Sequence, residues 1–240
     1  MGFKKPPSII VSLDMPLQKA SKLVRELERA EGKIAAYKVS SLQAMESGLR
    51  ATAAELRLST ALPLIYDHQK GATDIPEIIE QQVKSAADSG IDSFIGVPQG
   101  AGRKSLESFV NACNKNKILP IVLIEMSHPE SDSYLHSDSA WKIFQDAAKL
   151  GVEHIVAPGN KPERLKLIRE WIKQSGKEIF ISSPGIDTQG GSAKDAVSAG
   201  ADYPIIGRQI ANSADPAKEV EKIYKECLEG LKKRKSSRSL

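Results

Sequence analysis

Five charged side chains stand where short apolar runs give out. Asp14 follows IIVSL, Lys38 ends the run IAAYK, and Asp67, Lys70 and Asp74 share the stretch DHQKGATD. Charge at the end of an apolar run is costly to bury unless it pairs with another charge or meets a ligand. Two lysines and three aspartates so placed make either an internal ion-pair network or a charged binding site. Further along, Ser127 follows a long apolar run, and two segments then carry the marks of an anion grip. Ser183-Pro-Gly-Ile-Asp-Thr-Gln-Gly-Gly191 is rich in glycine, which lets backbone N–H groups approach an anion, and a helical pattern follows it. Gly207-Arg208 sets a backbone donor beside a guanidinium that can hold phosphate bidentately. The chemistry these residues permit is binding of a phosphorylated ligand against a cluster of opposed charges.

The elements that must position them follow a regular alternation. Strand candidates are 9–14, 34–39, 62–67, 93–97, 118–124, 154–157, 178–181 and 203–206. Amphipathic helical stretches at 17–30, 42–56, 77–89, 104–114, 141–150, 163–173, 193–199 and 216–228 separate or follow them. Eight βα units imply parallel strands with helical crossovers, and in 240 residues they suit an α/β fold closed as a (β/α)8 TIM barrel. In that architecture the C-terminal strand ends face the active site, and the loops after strands seven and eight are the usual phosphate site. Every residue singled out above falls at such a place. Trp141 and Trp171, at helical spacing among apolar residues, read as helix-to-barrel packing.

Composition narrows the class. Hydrophobic residues at 40% and charged residues at 27% suit a packed domain, which the pattern places at 1–230. The formal charge of +4 is concentrated in Lys232, Lys233, Arg234, Lys235 and Arg238, so 231–240 reads as a basic, disordered tail. Without it the chain is close to neutral, and neither nucleic acid nor membrane is an expected partner. Cys113 and Cys227 form no CxxC pair and no metal spacing, no run approaches a membrane span, and Met1–Ser8 has no apolar leader pattern. A cytoplasmic protein with reduced thiols, no cofactor and no metal site is the expectation.

Taken together, SLD at 12–14, YK at 37–38, the DxxKxxxDIP stretch at 67–76, EMSHP at 125–129, SPGIDTQGG at 183–191 and IIGR at 205–208 resemble the orotidine 5′-monophosphate decarboxylase family. EMSHP looks like the archaeal form. The resemblance covers nearly the whole chain and implies decarboxylation of orotidine 5′-monophosphate to UMP in pyrimidine biosynthesis. It implies that Asp14 and Lys38 hold the ribose hydroxyls, that Asp67 sits near the substrate carboxylate, and that Lys70 protonates C6 of the pyrimidine. It further implies that Ser127 contacts the base, that Gln189 bridges base and phosphate, and that Gly207 and Arg208 bind phosphate beside a loop shaped by Pro184. Asp74 and Ile75 would reach into a neighbouring subunit's site, making a homodimer. Loss of CO2 leaves an electron pair with no conventional sink, so the barrier must fall by on the order of 20 kcal/mol. Preorganised charge around Lys70 is the expected source.

The family signature is D-x-K-x-x-D, whereas this chain has D-x-x-K-x-x-x-D. Residues three apart on a regular strand face opposite ways, so a bulge around His68-Gln69 is expected to return Lys70 to Asp67. His68 is then a bulge residue or a contact to the base, and His128 a loop residue. Two alternatives stay open: a sister phosphosugar lyase or synthase of the same barrel superfamily, and a non-catalytic nucleotide-binding relative. The first would use Mg2+ held by an acidic residue at the second strand end, where this chain has Lys38.

Overall fold

A computed structural model describes residues 3–68, 71, 73–131, 133–186 and 190–236. Among them, eight parallel strands close a barrel in sequential order: β1 Ile9–Ser12, β2 Ile34–Ser40, β3 Leu64–Asp67, β4 Ser93–Gly96, β5 Leu119–Leu123, β6 His154–Val156, β7 Phe180–Ser183 and β8 Tyr203–Ile206. The helices are α1 Leu17–Glu26, α2 Ser41–Ser47, α3 Leu49–Arg57, α4 Pro76–Asp88, α5 Arg103–Lys115, α6 Ser139–Lys149, α7 Pro162–Ser175, α8 Ala193–Ala199, α9 Arg208–Ala211 and α10 Pro216–Ser236. This is the expected (β/α)8 barrel.

Strand alternation sorts the apolar side chains into two cores. Ile10, Ala36, Ile65, Ile95, Ile121, Leu123, Val156, Tyr203 and Ile205 fill the barrel. Their strand neighbours Val11, Tyr37, Leu64, Phe94, Val122, Ile155 and Ile206 face the helices. The same alternation turns Ser12, Lys38 and Asp67, at the C-terminal ends of their strands, toward the barrel mouth. Trp141 and Trp171 are half-buried against the outer core, as their helical spacing suggests.

Several elements depart from the sequence reading. The helix expected over 42–56 is two, because a Ser40–Gln43 capping box starts α2 and Gly48, at φ +78°, interrupts it before α3. The seventh strand runs 180–183 rather than 178–181. The basic segment is helical through Ser236 where a solvated tail from 231 was expected. Asp202 supplies the reason. This 5%-exposed carboxylate accepts from the Ile181 N–H at 2.9 Å and pairs with both Arg169 and Arg234, so Arg234 anchors the last turns of α10 to the barrel.

The barrel floor is closed by an aromatic cluster. His154, at the start of β6, packs among Phe3, Phe180 and Tyr203 with ring centroids 4.9 to 6.0 Å away, and its buried Nδ1 has no hydrogen-bond partner among the described residues. Burial, opposed by the Asp202 carboxylate, lowers its pKa from 6.5 to about 4. The unfolded chain thus binds a proton that the folded one refuses between those values, so stability present above pH 6.5 is lost as pH falls toward 4. This one group is expected to cost about 3 kcal/mol across that window. Urea unfolding at pH 7 and pH 4.5 measures it. A His154→Phe variant that keeps the full pH dependence would assign the loss elsewhere.

Candidate active site

The barrel mouth opens into a cavity of about 870 Å3. Its apolar floor is Ile95, Leu123, Val156 and Ile205, the topmost inward layer of the barrel. Ser12, Asp14, Lys38 and Asp67 line one side, and Met126, Ser127, His128, Pro184, Gly185, Gly207 and Arg208 line the rest. One wall is therefore a charged array and the floor is apolar.

Neighbouring strands build that array by register. Ser12 lies beside Lys38 across β1 and β2, and Ser40 lies beside Asp67 across β2 and β3. The Lys38 ammonium reaches diagonally to Asp67 Oδ2 at 2.8 Å and to Asp14 Oδ1 at 3.4 Å. Lys38 and Asp67 are buried, whereas Asp14 is more than half exposed at the rim. Burial alone would lower the Lys38 pKa, but Asp67 and then Asp14 outweigh it and hold it above the ordinary lysine value. Lys38 is thus an ammonium at any working pH. Ser12 Oγ donates to Asp14 Oδ2 at 2.7 Å, fixing the rim carboxylate.

The opposite wall is built from tight backbone. Gly185 has φ +88°, and a Cβ there would lie 2.8 Å from the Asn160 side chain and 2.9 Å from Ser127 Cβ. Gly191 packs against the Gly185 carbonyl just as closely, which ties off the base of the loop after β7. Asn160 Nδ2 donates to the Ser127 carbonyl at 3.0 Å, joining the loops after β5, β6 and β7. Gly207 rests on the Ser12 backbone, where a Cβ would come within 3.0 Å of the carbonyl oxygen. The Gly207–Arg208 pair is thereby set directly beside the charged array.

The structure gathers Asp14, Lys38, Asp67, Ser127, Pro184, Gly207 and Arg208 around one cavity, as the strand-end reading expected. It does not bring Asp74 and Ile75 there. Both are exposed at the start of α4, with the Ile75 N–H bonded to Asp74 Oδ1 at 2.7 Å. Lys70 and Gln189 lie outside the described residues, and so does the expected bulge at Gln69. His68, on its near side, meets the Tyr66 hydroxyl through Nδ1 at 2.6 Å. On its far side Gly71 is pinned: its carbonyl accepts from the Val97 N–H at 2.6 Å, and a Cβ would collide with the Phe94 ring.

Sequence reasoning missed Ser12, Asn160 and the four floor residues. Ser12 was within reach, since it precedes Asp14 by two on one strand pattern and shares its direction. Asn160 carried no signal, because its part is to hold loops that only the closed barrel brings together. Among the described residues, no three His, Cys, Asp or Glu side chains gather in a group able to hold a metal ion. None of the described helices is long and apolar enough to cross a membrane.

Comparison with known proteins bears on the family and the fold. Residues 7–223 match the model of the orotidine 5′-phosphate decarboxylase / HUMPS family. The orotidine 5′-phosphate decarboxylase of Pyrococcus abyssi is 34% identical over 221 residues, covering 91% of this chain and 98% of that protein. Among solved structures, orotidine 5′-monophosphate decarboxylase from Methanocaldococcus jannaschii, complexed with inhibitor BMP, superposes with a TM-score of 0.81 at 28% identity. That alignment covers 92% of this chain and 99% of the other. The enzyme from Pyrococcus horikoshii gives 0.78 at 30% identity, with the same coverage of both chains.

Proposed function

The chain belongs to the orotidine 5′-phosphate decarboxylase / HUMPS family, and within it we propose that it acts as a carboxy-lyase converting orotidine 5′-monophosphate to UMP in de novo pyrimidine biosynthesis. The observation that carries this reading is the buried Lys38–Asp67 pair in a cavity that Gly207 and Arg208 also line. One side offers fixed charge above an apolar floor, and another offers a phosphate grip. In this reading Arg208 and Gly207 hold the phosphate, with Pro184 shaping the loop above and Gln189 reaching over from it. Asp14 and Lys38 take the ribose hydroxyls, and Ser127 meets the base.

The reaction needs no acceptor beyond the protein. The C6–carboxylate bond breaks, CO2 leaves, the electron pair stays at C6, and the Lys70 ammonium delivers the proton that replaces it. The resulting amine regains a proton from water. Asp67 faces the departing carboxylate, and Asp67, with an Asp74 contributed by a second copy of the chain, keeps Lys70 charged. Phosphate grip far from C6 supplies binding energy that assembles the reacting end and excludes water.

The phosphosugar branch of the family is the second reading, and Lys38 argues against it. Its ammonium sits 2.8 Å from Asp67 and 3.4 Å from Asp14, so these oxygens already serve a cation of the protein's own. A divalent ion at the second strand end would need an oxygen ligand where this ammonium stands.

Exposure supports a homodimer. Ile75, 58% exposed, lies near the exposed Ile78, and both follow Asp74. A large apolar side chain left in water beside a charge meant for a ligand fits a surface that a second copy covers. Asp74 and Ile75 would then complete the neighbour's cavity. Cytoplasmic action fits two cysteines that are free and deeply buried, with burial pushing the Cys227 thiol up to about 12.

The full chain incubated with orotidine 5′-monophosphate and excess chelator should form UMP at an undiminished rate. Tight UMP binding without turnover would instead leave a nucleotide-binding relative.

A further inference from the structure

We infer that the cavity carries a second anion subsite, built by Lys19 and Lys22 beyond the phosphate grip, that accepts the β-phosphate of a nucleoside 5′-diphosphate. The inference rests on the reading of Gly207–Arg208 as the phosphate site.

The cavity does not end at Arg208. It continues as a cleft between α1 and α9, with Lys19, Lys22 and Glu26 on one wall and Gln209 and Asn212 on the other. At about 870 Å3 it lies toward the upper end of the roughly 300–1,000 Å3 that small-molecule sites occupy. The barrel mouth takes a base and a ribose, and Arg208 takes a phosphate, so the cleft is space that a monophosphate leaves empty.

Its charge selects the occupant. Lys19 and Lys22 are three apart on α1 and so share a helix face, turned toward the cavity that Arg208 also lines. Among the described residues, the Lys19 side chain has no hydrogen bond or ion pair. Lys22 has only Glu26, at 3.7 Å and well exposed, a contact of little worth in water. The opposing carboxylate on α10, Glu219, is engaged by the Gln209 amide at 2.8 Å and by Lys222 at 3.4 Å. Two ammoniums with weak or no partners thus follow a guanidinium along one cleft. A diphosphate running out from Arg208 would pass Lys19 first. Uridine 5′-diphosphate, the class of molecule made when the product accepts one more phosphoryl group, would then compete with the substrate and restrain the enzyme.

The test is calorimetric titration of UMP and UDP, with chelator present, into the full chain and into a Lys19→Gln/Lys22→Gln variant. Both lysines are exposed, so the variant keeps the barrel. Losing charge-assisted contacts to the second phosphate should weaken UDP by about tenfold, some 1.4 kcal/mol, while UMP changes by less than about twofold. Equal changes for the two nucleotides, or none for UDP, overturn the subsite and leave the proposed function standing. Failure of UMP itself to bind the unaltered protein would overturn both.

Discussion

Replacing Asp67 with asparagine is expected to slow decarboxylation by about 10³-fold, because the change removes one preorganised charge from a buried position. The side chain keeps its shape, and the loss is electrostatic. Asp67 is buried beside Lys38 at 2.8 Å, so the pair stands in a medium where a charge interacts far more strongly than in water. Among the described residues, asparagine leaves Lys38 with only the rim carboxylate of Asp14 at 3.4 Å, and a buried ammonium so stripped is poorly balanced. Breaking a fully buried pair costs about 3–5 kcal/mol of stability, and the cost here should fall below that because Asp14 remains. Catalysis and folding can therefore be read apart. The variant should unfold at lower urea yet bind UMP within about tenfold, while single-turnover decarboxylation collapses. A rate within tenfold of the parent would show that the pair serves the barrel and not the reaction.

That experiment bears on residues legible in the sequence because a physical rule made them so. Charges closing apolar strands are rare enough to demand a partner, and parallel barrels send those ends to one face. Asp14, Lys38 and Asp67 followed from those two facts, as did the placement of Gly207–Arg208 after the last strand. Charge at the other end of the strands has a different use. Asp92 and Asp202, just before β4 and β8, accept backbone N–H groups of the neighbouring strand and pair with Arg57 and Arg169. They clamp helices to the barrel floor. What the sequence hid were contacts that exist only after closure. The four floor residues look like any core isoleucine, leucine or valine until the barrel shows which layer is uppermost. Gly48 divides a continuous helical pattern, since period alone gives no weight to one left-handed residue. The basic run from Lys232 reads as solvated until Asp202, thirty residues earlier and buried, is seen to need Arg234.

The largest expected loss belongs to Lys70. A Lys70→Ala enzyme should retain less than about 10⁻⁴ of the parental rate, since a positioned acid contributes roughly 10²–10⁴ and a charge at the developing anion a further 10²–10³. The two contributions come from one ammonium and do not simply multiply, so the lower part of their combined range is the safer expectation. Charge stabilisation and proton delivery must both fail in alanine, whereas UMP, which carries no C6 carboxylate, should still bind through the phosphate and ribose contacts. The spacing D-x-x-K-x-x-x-D gives the experiment a second purpose. His68 and Gly71 bracket the lysine, and Gly71 is held to β4 by a 2.6 Å hydrogen bond and by the Phe94 ring. A bulge remains the proposal for the step between those two described residues. Deleting Gln69 would restore the two-residue step from Asp67 to the lysine. If the native chain bulges there, the deletion should leave most of the activity in place. If the native lysine is misdirected, Lys70→Ala should cost little and the deletion should raise the rate. Turnover of the two variants beside the parent decides which way the side chain points.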